Sequence, residues 1–164
     1  MDWNLKVVKL TGMWLASLVG SVYGLFFTII GAGFDWGPGG GMEGPYWKIL
    51  IVGLISLLLG MYAGELMVRK LSSALKVFSK PRAKLEIVML MFFVCFVASL
   101  VAWVVSWEAG MISGIAMGSI GWDEVIRWGQ VILDVALMSL VFGMPFYLLA
   151  GIINAVVAAI VLKK

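Results

Sequence analysis

The sequence predicts an all-α membrane protein: a four-transmembrane-helix bundle with both termini in the cytoplasm. Of its 164 residues, 63% are hydrophobic and 13% are charged, whereas ordinary soluble domains are about 45–50% apolar and about 25% charged. The charged residues also separate four long uncharged or nearly uncharged runs. These runs are continuously apolar and lack the alternation of a transmembrane β-barrel strand, so we expect helices.

The first predicted span covers about residues 10–34, which lie without a charge between Lys9 and Asp35. A helix needs about 20 apolar residues to cross a bilayer. The preceding Lys6 and Lys9 are also typical of a cleaved signal peptide. The apolar region of such a peptide is only about 7–15 residues long, so we expect this run to stay in the membrane as a helix.

Three further spans follow at about residues 48–68, 87–107 and 130–162. The second contains a single acidic residue, Glu65, and the third ends where Glu108 follows it. An even number of spans places both termini on the same side of the membrane. The sequence therefore predicts one integral membrane domain over residues 1–164.

Two connections are predicted on the outer side. Residues 31–45 contain seven glycines and two prolines, which is typical of a flexible turn, although a pore mouth or a carbonyl-lined ion site would use the same composition. Residues 109–122 carry no charge and are too few for a span. We expect them to lie on the outer surface, with a re-entrant segment as the alternative.

The basic linker at residues 69–85 sets the predicted orientation. Together with the two termini it holds ten of the 12 lysines and arginines, and basic residues favour the cytoplasmic side. Apolar positions from Leu71 to Phe78 recur at helical spacing, which predicts an amphipathic segment on an anionic lipid surface. The residues expected to contact lipid headgroups are Lys70, Lys76, Lys80, Arg82 and Lys84. We expect a plasma or inner membrane.

Small residues recur every four positions along three of the predicted helices. Such rows let helix backbones approach closely in lipid, and they serve either packing within the bundle or assembly with other subunits. The rows are Gly12, Ala16, Gly20 and Gly24 in the first helix, Gly60 and Gly64 in the second, and Gly151, Ala155 and Ala159 in the fourth.

Two short matches hint at an internal duplication. Residues 16–19 recur at 98–101, an offset of 82, and the pattern at 54–61 recurs at 137–144, an offset of 83. Two tandem hairpins related by an axis along the membrane normal would produce both matches.

Two acidic residues are candidates for an ion or proton site, because an ionisable group at membrane depth is a functional hypothesis by default. Glu65 lies near the cytoplasmic end of the second span, where Arg69 follows at the spacing of a helical salt bridge. Asp134 lies near the outer end of the fourth span, and its depth depends on where the membrane core begins. Neither acid is repeated at the duplication offset.

The composition argues against catalysis and against nucleic-acid binding. There is no histidine, and Cys95 is the single cysteine, so the common metal and nucleophile constellations cannot form. We expect no enzymatic activity, no cofactor and no metal. The predicted function is a membrane subunit or scaffold component of a larger complex, with the bilayer and other membrane subunits as partners. The alternative is a small homo-oligomeric transporter or channel that uses Asp134.

Overall fold

A computed structural model describes residues 3–33, 46–77, 83–117 and 122–162, without the side chains of 27–33, 46, 49 and 122–140. These ranges contain no strand and form four helices. The helices are α1 (Trp3–Gly33), α2 (Tyr46–Ala74), α3 (Lys84–Ala116) and α4 (Trp122–Val161). All four are long and apolar enough to cross a membrane, which confirms the prediction of an all-α chain with four candidate spans.

Two of the four helices, α1 and α3, form a central pair. α1 and α3 run parallel and contact each other, and each of them also contacts α2 and α4, which run in the opposite direction. Within the described residues α2 and α4 do not touch. The bundle therefore has two separate flanks, one made by α2 and one by α4, on either side of the α1–α3 pair.

The expectation of a separate surface or re-entrant segment at 109–122 is wrong for residues 109–116. These residues continue α3 without a break to Ala116, where the backbone N–H of Met117 donates to the Ser113 carbonyl at 3.0 Å. An isolated carboxylate such as Glu108 does not interrupt backbone hydrogen bonds, so it does not mark a helix end. Gly110 and Gly114 lie inside the helix and are buried.

The basic linker begins as a continuation of α2. This helix runs to Ala74 and closes through a turn in which the Val77 N–H donates to the Ser72 carbonyl and the Lys76 N–H to the Ser73 carbonyl, both at 3.0 Å. This is a Schellman motif with Lys76 at φ 50°. The prediction of a single amphipathic helix through Phe78 is therefore wrong, since the helix ends four residues earlier. Phe78 itself lies outside the described residues.

Apolar clusters fill the end of the bundle where α1 begins. Val8 of α1, Ile87 of α3 and Ala158 of α4 are buried together with Val77 from the turn after α2. The described basic residues at this end are half-buried or exposed at the surface. They are Lys6, Lys9, Arg69, Lys70, Lys76 and Lys84.

The contact register between α1 and α3 matches the offset of the sequence repeat. Gly20 packs on Ala102, and Gly24 packs on Ser106, so in both pairs the partners are 82 residues apart. Two tandem hairpins related by an axis between α1 and α3 would place equivalent residues opposite each other in this way. The duplication itself stays a prediction.

Candidate functional site

Glycines let α1 lie directly against α3. A Cβ atom added at Gly20 would come within 2.2 Å of the Ser99 carbonyl oxygen and 2.6 Å of the Ala102 Cβ. One added at Gly24 would lie 2.6 Å from the Ser106 Cβ. Any side chain at either position would force the two backbones apart. The row that begins at Gly12 and Ala16 is buried inside the bundle.

The glycines of α2 allow the same close approach between α2 and the α1–α3 pair. At Gly60 a Cβ would meet the Ser106 Cβ at 2.6 Å, and at Gly64 it would meet the Ser17 Cα at 2.9 Å. The small residues of α1 and α2 therefore contact other helices of the same chain.

Three serines form a hydrogen-bonded layer where α1, α2 and α3 meet. The Ser106 hydroxyl donates to the Ser21 carbonyl at 3.0 Å. The Ser56 hydroxyl lies 2.7 Å from the Ser106 carbonyl oxygen and 2.9 Å from the Ser106 Oγ. Because the Ser106 proton is used toward Ser21, Ser56 is the donor to Ser106. All three residues are fully buried, so the layer bridges the helices at the centre of the bundle.

On the opposite flank, Asn154 of α4 reaches into the bundle. It is fully buried, and its amide Nδ2 donates to the Met91 carbonyl at 3.3 Å, while its Oδ1 has no partner among the described residues. Nearby, the Cys95 thiol lies 3.6 Å from the Ala150 carbonyl oxygen and 3.7 Å from that of Gly12. This contact joins α1, α3 and α4.

An aromatic cluster fills the rest of the α4 flank. The Tyr147 ring is fully buried, with its centroid 5.8 Å from that of Tyr23, 6.3 Å from Trp103 and 6.5 Å from Phe96. Tyr147 folds back over Gly143, where a Cβ would lie 2.5 Å from the tyrosine oxygen. Within the described part of the chain, neither the Tyr147 hydroxyl nor the Trp103 Nε1 has a hydrogen-bond partner.

Of the two acidic candidates, the structure describes the side chain of Glu65 only. Glu65 is 40% exposed and pairs with Arg69, which is 59% exposed, so it lies on the outside of the bundle as part of a salt bridge. Asp134 lies in α4, but its side chain is outside the described set. Among the described residues, the structure pairs Glu65 with Arg69 alone.

The predicted headgroup contacts are placed only in part. Lys70, Lys76 and Lys84 are exposed, whereas Lys80 and Arg82 lie outside the described residues. At the other end of the bundle, the Lys48 Nζ donates to the Met117 carbonyl at 2.9 Å, where a cation favourably meets the carboxyl end of α3.

The predicted α4 row needs correction. Gly151 is buried against Phe92, but Ala155 and Ala159 are only half-buried. The α4 positions that pack inward are instead Gly143, Tyr147, Ala150, Gly151, Asn154 and Ala158. A polar residue alone in an apolar span, as Asn154 is, was the available signal for this face, because lipid exposure of an amide is costly.

The buried polar side chains of the described residues are serines and one asparagine, without any Asp, Glu, Lys or Arg. No three His, Cys, Asp or Glu side chains of this part of the chain lie close enough together to hold a metal. The buried polar residues of the described interior are therefore neutral. Comparison of the chain with protein-family models, with curated proteins and with solved structures gave no match. The chain fits an integral membrane protein through its four candidate spans.

Proposed function

We propose that the chain is a multi-pass membrane subunit, or scaffold component, of a larger membrane protein complex. The observation that carries this proposal is the filled and uncharged interior. Gly20, Gly24, Gly60 and Gly64 leave no room between α1, α2 and α3, and the buried polar groups are neutral. An ion or proton pathway needs ionisable or water-filled positions at membrane depth; a packing subunit does not.

Partner helices would bind the outer faces of α2 and α4. Because the small-residue rows of α1 and α2 are occupied within the chain, they are not available to another subunit. In their apolar spans, only 28% of α2 and 28% of α4 is buried. Large side chains such as Leu58 on α2 and Ile152 on α4 are more than half exposed, and they offer van der Waals surface to a neighbouring helix.

Photo-crosslinking in the native membrane tests this arrangement. A photoreactive residue placed at Leu58 or Ile152 should give a discrete crosslink to a different polypeptide. The matched control is Leu18, an exposed position on α1, which should crosslink only to lipid. Crosslinks from Leu58 and Ile152 to lipid alone, or to a second copy of the chain alone, would contradict the proposal.

We further propose that the chain crosses the membrane with its basic end in the cytoplasm, as the lysine and arginine distribution favours. Lys70 and Glu108 are exposed near opposite ends of the bundle, and the native Cys95 is buried. In intact cells an impermeant maleimide should label Glu108→Cys and leave Lys70→Cys unlabelled until the membrane is opened. Labelling of both variants from outside would refute the orientation.

A second function, a small homo-oligomeric transporter or channel, is favoured by the unpartnered polar atoms on the α4 flank. The Tyr147 hydroxyl, the Trp103 Nε1 and the Asn154 Oδ1 are buried polar atoms of the kind that a permeating solute would contact. Asp134, on the same helix, is the candidate ion or proton site. This function predicts that Asp134→Asn abolishes ion flux in liposomes that contain the purified chain. Absence of flux with the unchanged chain would exclude it.

A further inference from the structure

A groove runs between α1 and α2 at the basic end of the bundle. It has a volume of about 280 Å³, and apolar side chains form most of its wall, namely Leu10, Met13, Trp14 and Met61. Because α1 and α2 are antiparallel, the groove begins near Met61 and ends beside Leu10 and Arg69. Its wall is mostly apolar, with Ser17 at the end near Met61 and the charged pair at the end that lies toward the start of α1.

The polar end of the groove has an excess of positive charge. Arg69 and Glu65 both line it and pair with each other. A guanidinium has five N–H donors, and with 59% of its side chain exposed Arg69 keeps donors for a second acceptor. Lys6 and Lys9 lie one helical turn before Leu10 and Met13 on the same faces of α1. Within the lining itself Arg69 and Glu65 balance each other, and Lys6 and Lys9 add positive charge from the preceding turn of α1.

We propose that this groove binds one anionic phospholipid. One acyl chain lies along the apolar wall, and the phosphate accepts hydrogen bonds from Arg69 at the polar end, with Lys6 and Lys9 adding attraction. Arginine suits a phosphate because its planar donors match two oxygens. The site depends on membrane insertion, which belongs to the proposed function, but it does not depend on partner subunits.

Lipid retention by the purified chain tests the site. The chain is extracted into detergent with equal amounts of phosphatidylglycerol and phosphatidylcholine of the same acyl chains, and bound lipid is counted by native mass spectrometry. We expect phosphatidylglycerol to be retained in preference. Arg69→Gln should lower that preference about five-fold, which corresponds to the attraction of one basic residue near a lipid surface. Lys48→Gln, at the opposite end of the bundle, is the control and should leave the preference unchanged.

Two further variants separate a lipid site from a structural salt bridge. Glu65→Gln removes the competing carboxylate and should raise the retention of phosphatidylglycerol, whereas a merely structural ion pair would give a loss on removal of either partner. Met61→Trp fills the apolar wall and should lower the retention of both lipids. The exposed positions of Glu65 and Arg69 keep these variants folded, which gel filtration checks.

The outcomes are distinct. Equal retention of the two phospholipids, or equal effects of Arg69→Gln and Lys48→Gln, would overturn the proposal. Because the experiment uses the isolated chain, a negative result leaves the subunit hypothesis intact, and a chain without partners in its own membrane can still retain the lipid.

Discussion

The two flanks of the α1–α3 pair are built in opposite ways. On the α2 flank, Gly60 and Gly64 bring backbones together, and buried serines hydrogen-bond across the contact. On the α4 flank, the bulky Tyr147 ring packs against Trp103. Three buried polar atoms of this flank have no partner in the described structure, whereas one, the Ser21 Oγ, has none beside the α2 flank. At the predicted repeat offset of 83, Gly64 would correspond to Tyr147.

This difference teaches where small residues matter. Without a hydrophobic driving force between helices in lipid, stability comes from close van der Waals contact and from interhelical hydrogen bonds. The α2 flank has both. The α4 flank adds aromatic contacts to the hydrogen bond from Asn154 to Met91 and to the close approach of Gly151 to Phe92.

The largest effect is expected at the central contact. Gly20→Ala places a methyl group 2.2 Å from the Ser99 carbonyl oxygen, and we expect a loss of about 2 kcal/mol in the free energy of unfolding. Unfolding in mixed detergent micelles, followed by tryptophan fluorescence, measures it. Gly20→Leu should prevent α1 from packing on α3 altogether.

Gly53→Ala is the matched control for that measurement. Its Cβ would meet only the flexible Leu25 side chain, at 3.2 Å, so we expect a change within about 0.5 kcal/mol. Equal losses for Gly20→Ala and Gly53→Ala would show that close backbone approach is not what holds the central pair together.

The next effect concerns the serine layer. Ser106→Ala removes the donor to the Ser21 carbonyl and leaves only the Ser106 carbonyl as an acceptor for Ser56, and we expect the fold to lose about 1 kcal/mol. Ser113→Ala, on the same helix, removes only local bonds to the Ala109 and Gly110 carbonyls and should cost less. A larger loss of stability for Ser113→Ala than for Ser106→Ala would show that the serine layer does not join the helices.

The smallest effect, with the opposite sign, is expected on the α4 flank. Tyr147→Phe removes a buried hydroxyl that has no partner among the described residues and keeps the ring contacts. We expect stability to be unchanged or to rise by up to about 1 kcal/mol. A loss as large as that of Ser106→Ala would mean that this hydroxyl is hydrogen-bonded in the membrane, and the contrast between the flanks would fail.

The helices were predictable from sequence because continuous apolar runs and their flanking charges report length directly. Helix ends were less so: Glu108 suggested a boundary, yet α3 continues to Ala116, since helix continuity depends on backbone hydrogen bonds and not on one charge. The glycines of α1 and α2 stood out by their four-residue spacing. Their partners did not, because nothing in a single sequence reports that Ser106 rather than another helix lies opposite Gly24.

The buried polar groups were the part that sequence reasoning missed. Ser56 and Ser106 look like ordinary small residues within apolar runs, and only the fold places them 2.9 Å apart. Asn154 and Tyr147 carried a signal, as isolated polar residues seven positions apart on one face of α4. The charged residues Glu65 and Asp134 are the more obvious candidates at membrane depth, and the neutral Asn154 and Tyr147 were therefore not predicted.

We propose that the small residues hold the chain's own bundle together. Assembly with other subunits then occurs through the outer faces of α2 and α4. The most direct test is the mass of the complex in mild detergent, measured for the chain isolated from its native membrane and for the chain expressed alone. We predict a larger complex of fixed composition from the native membrane, and no defined homo-oligomer from the chain alone. The same stable homo-oligomer in both preparations would contradict this account and favour the transporter.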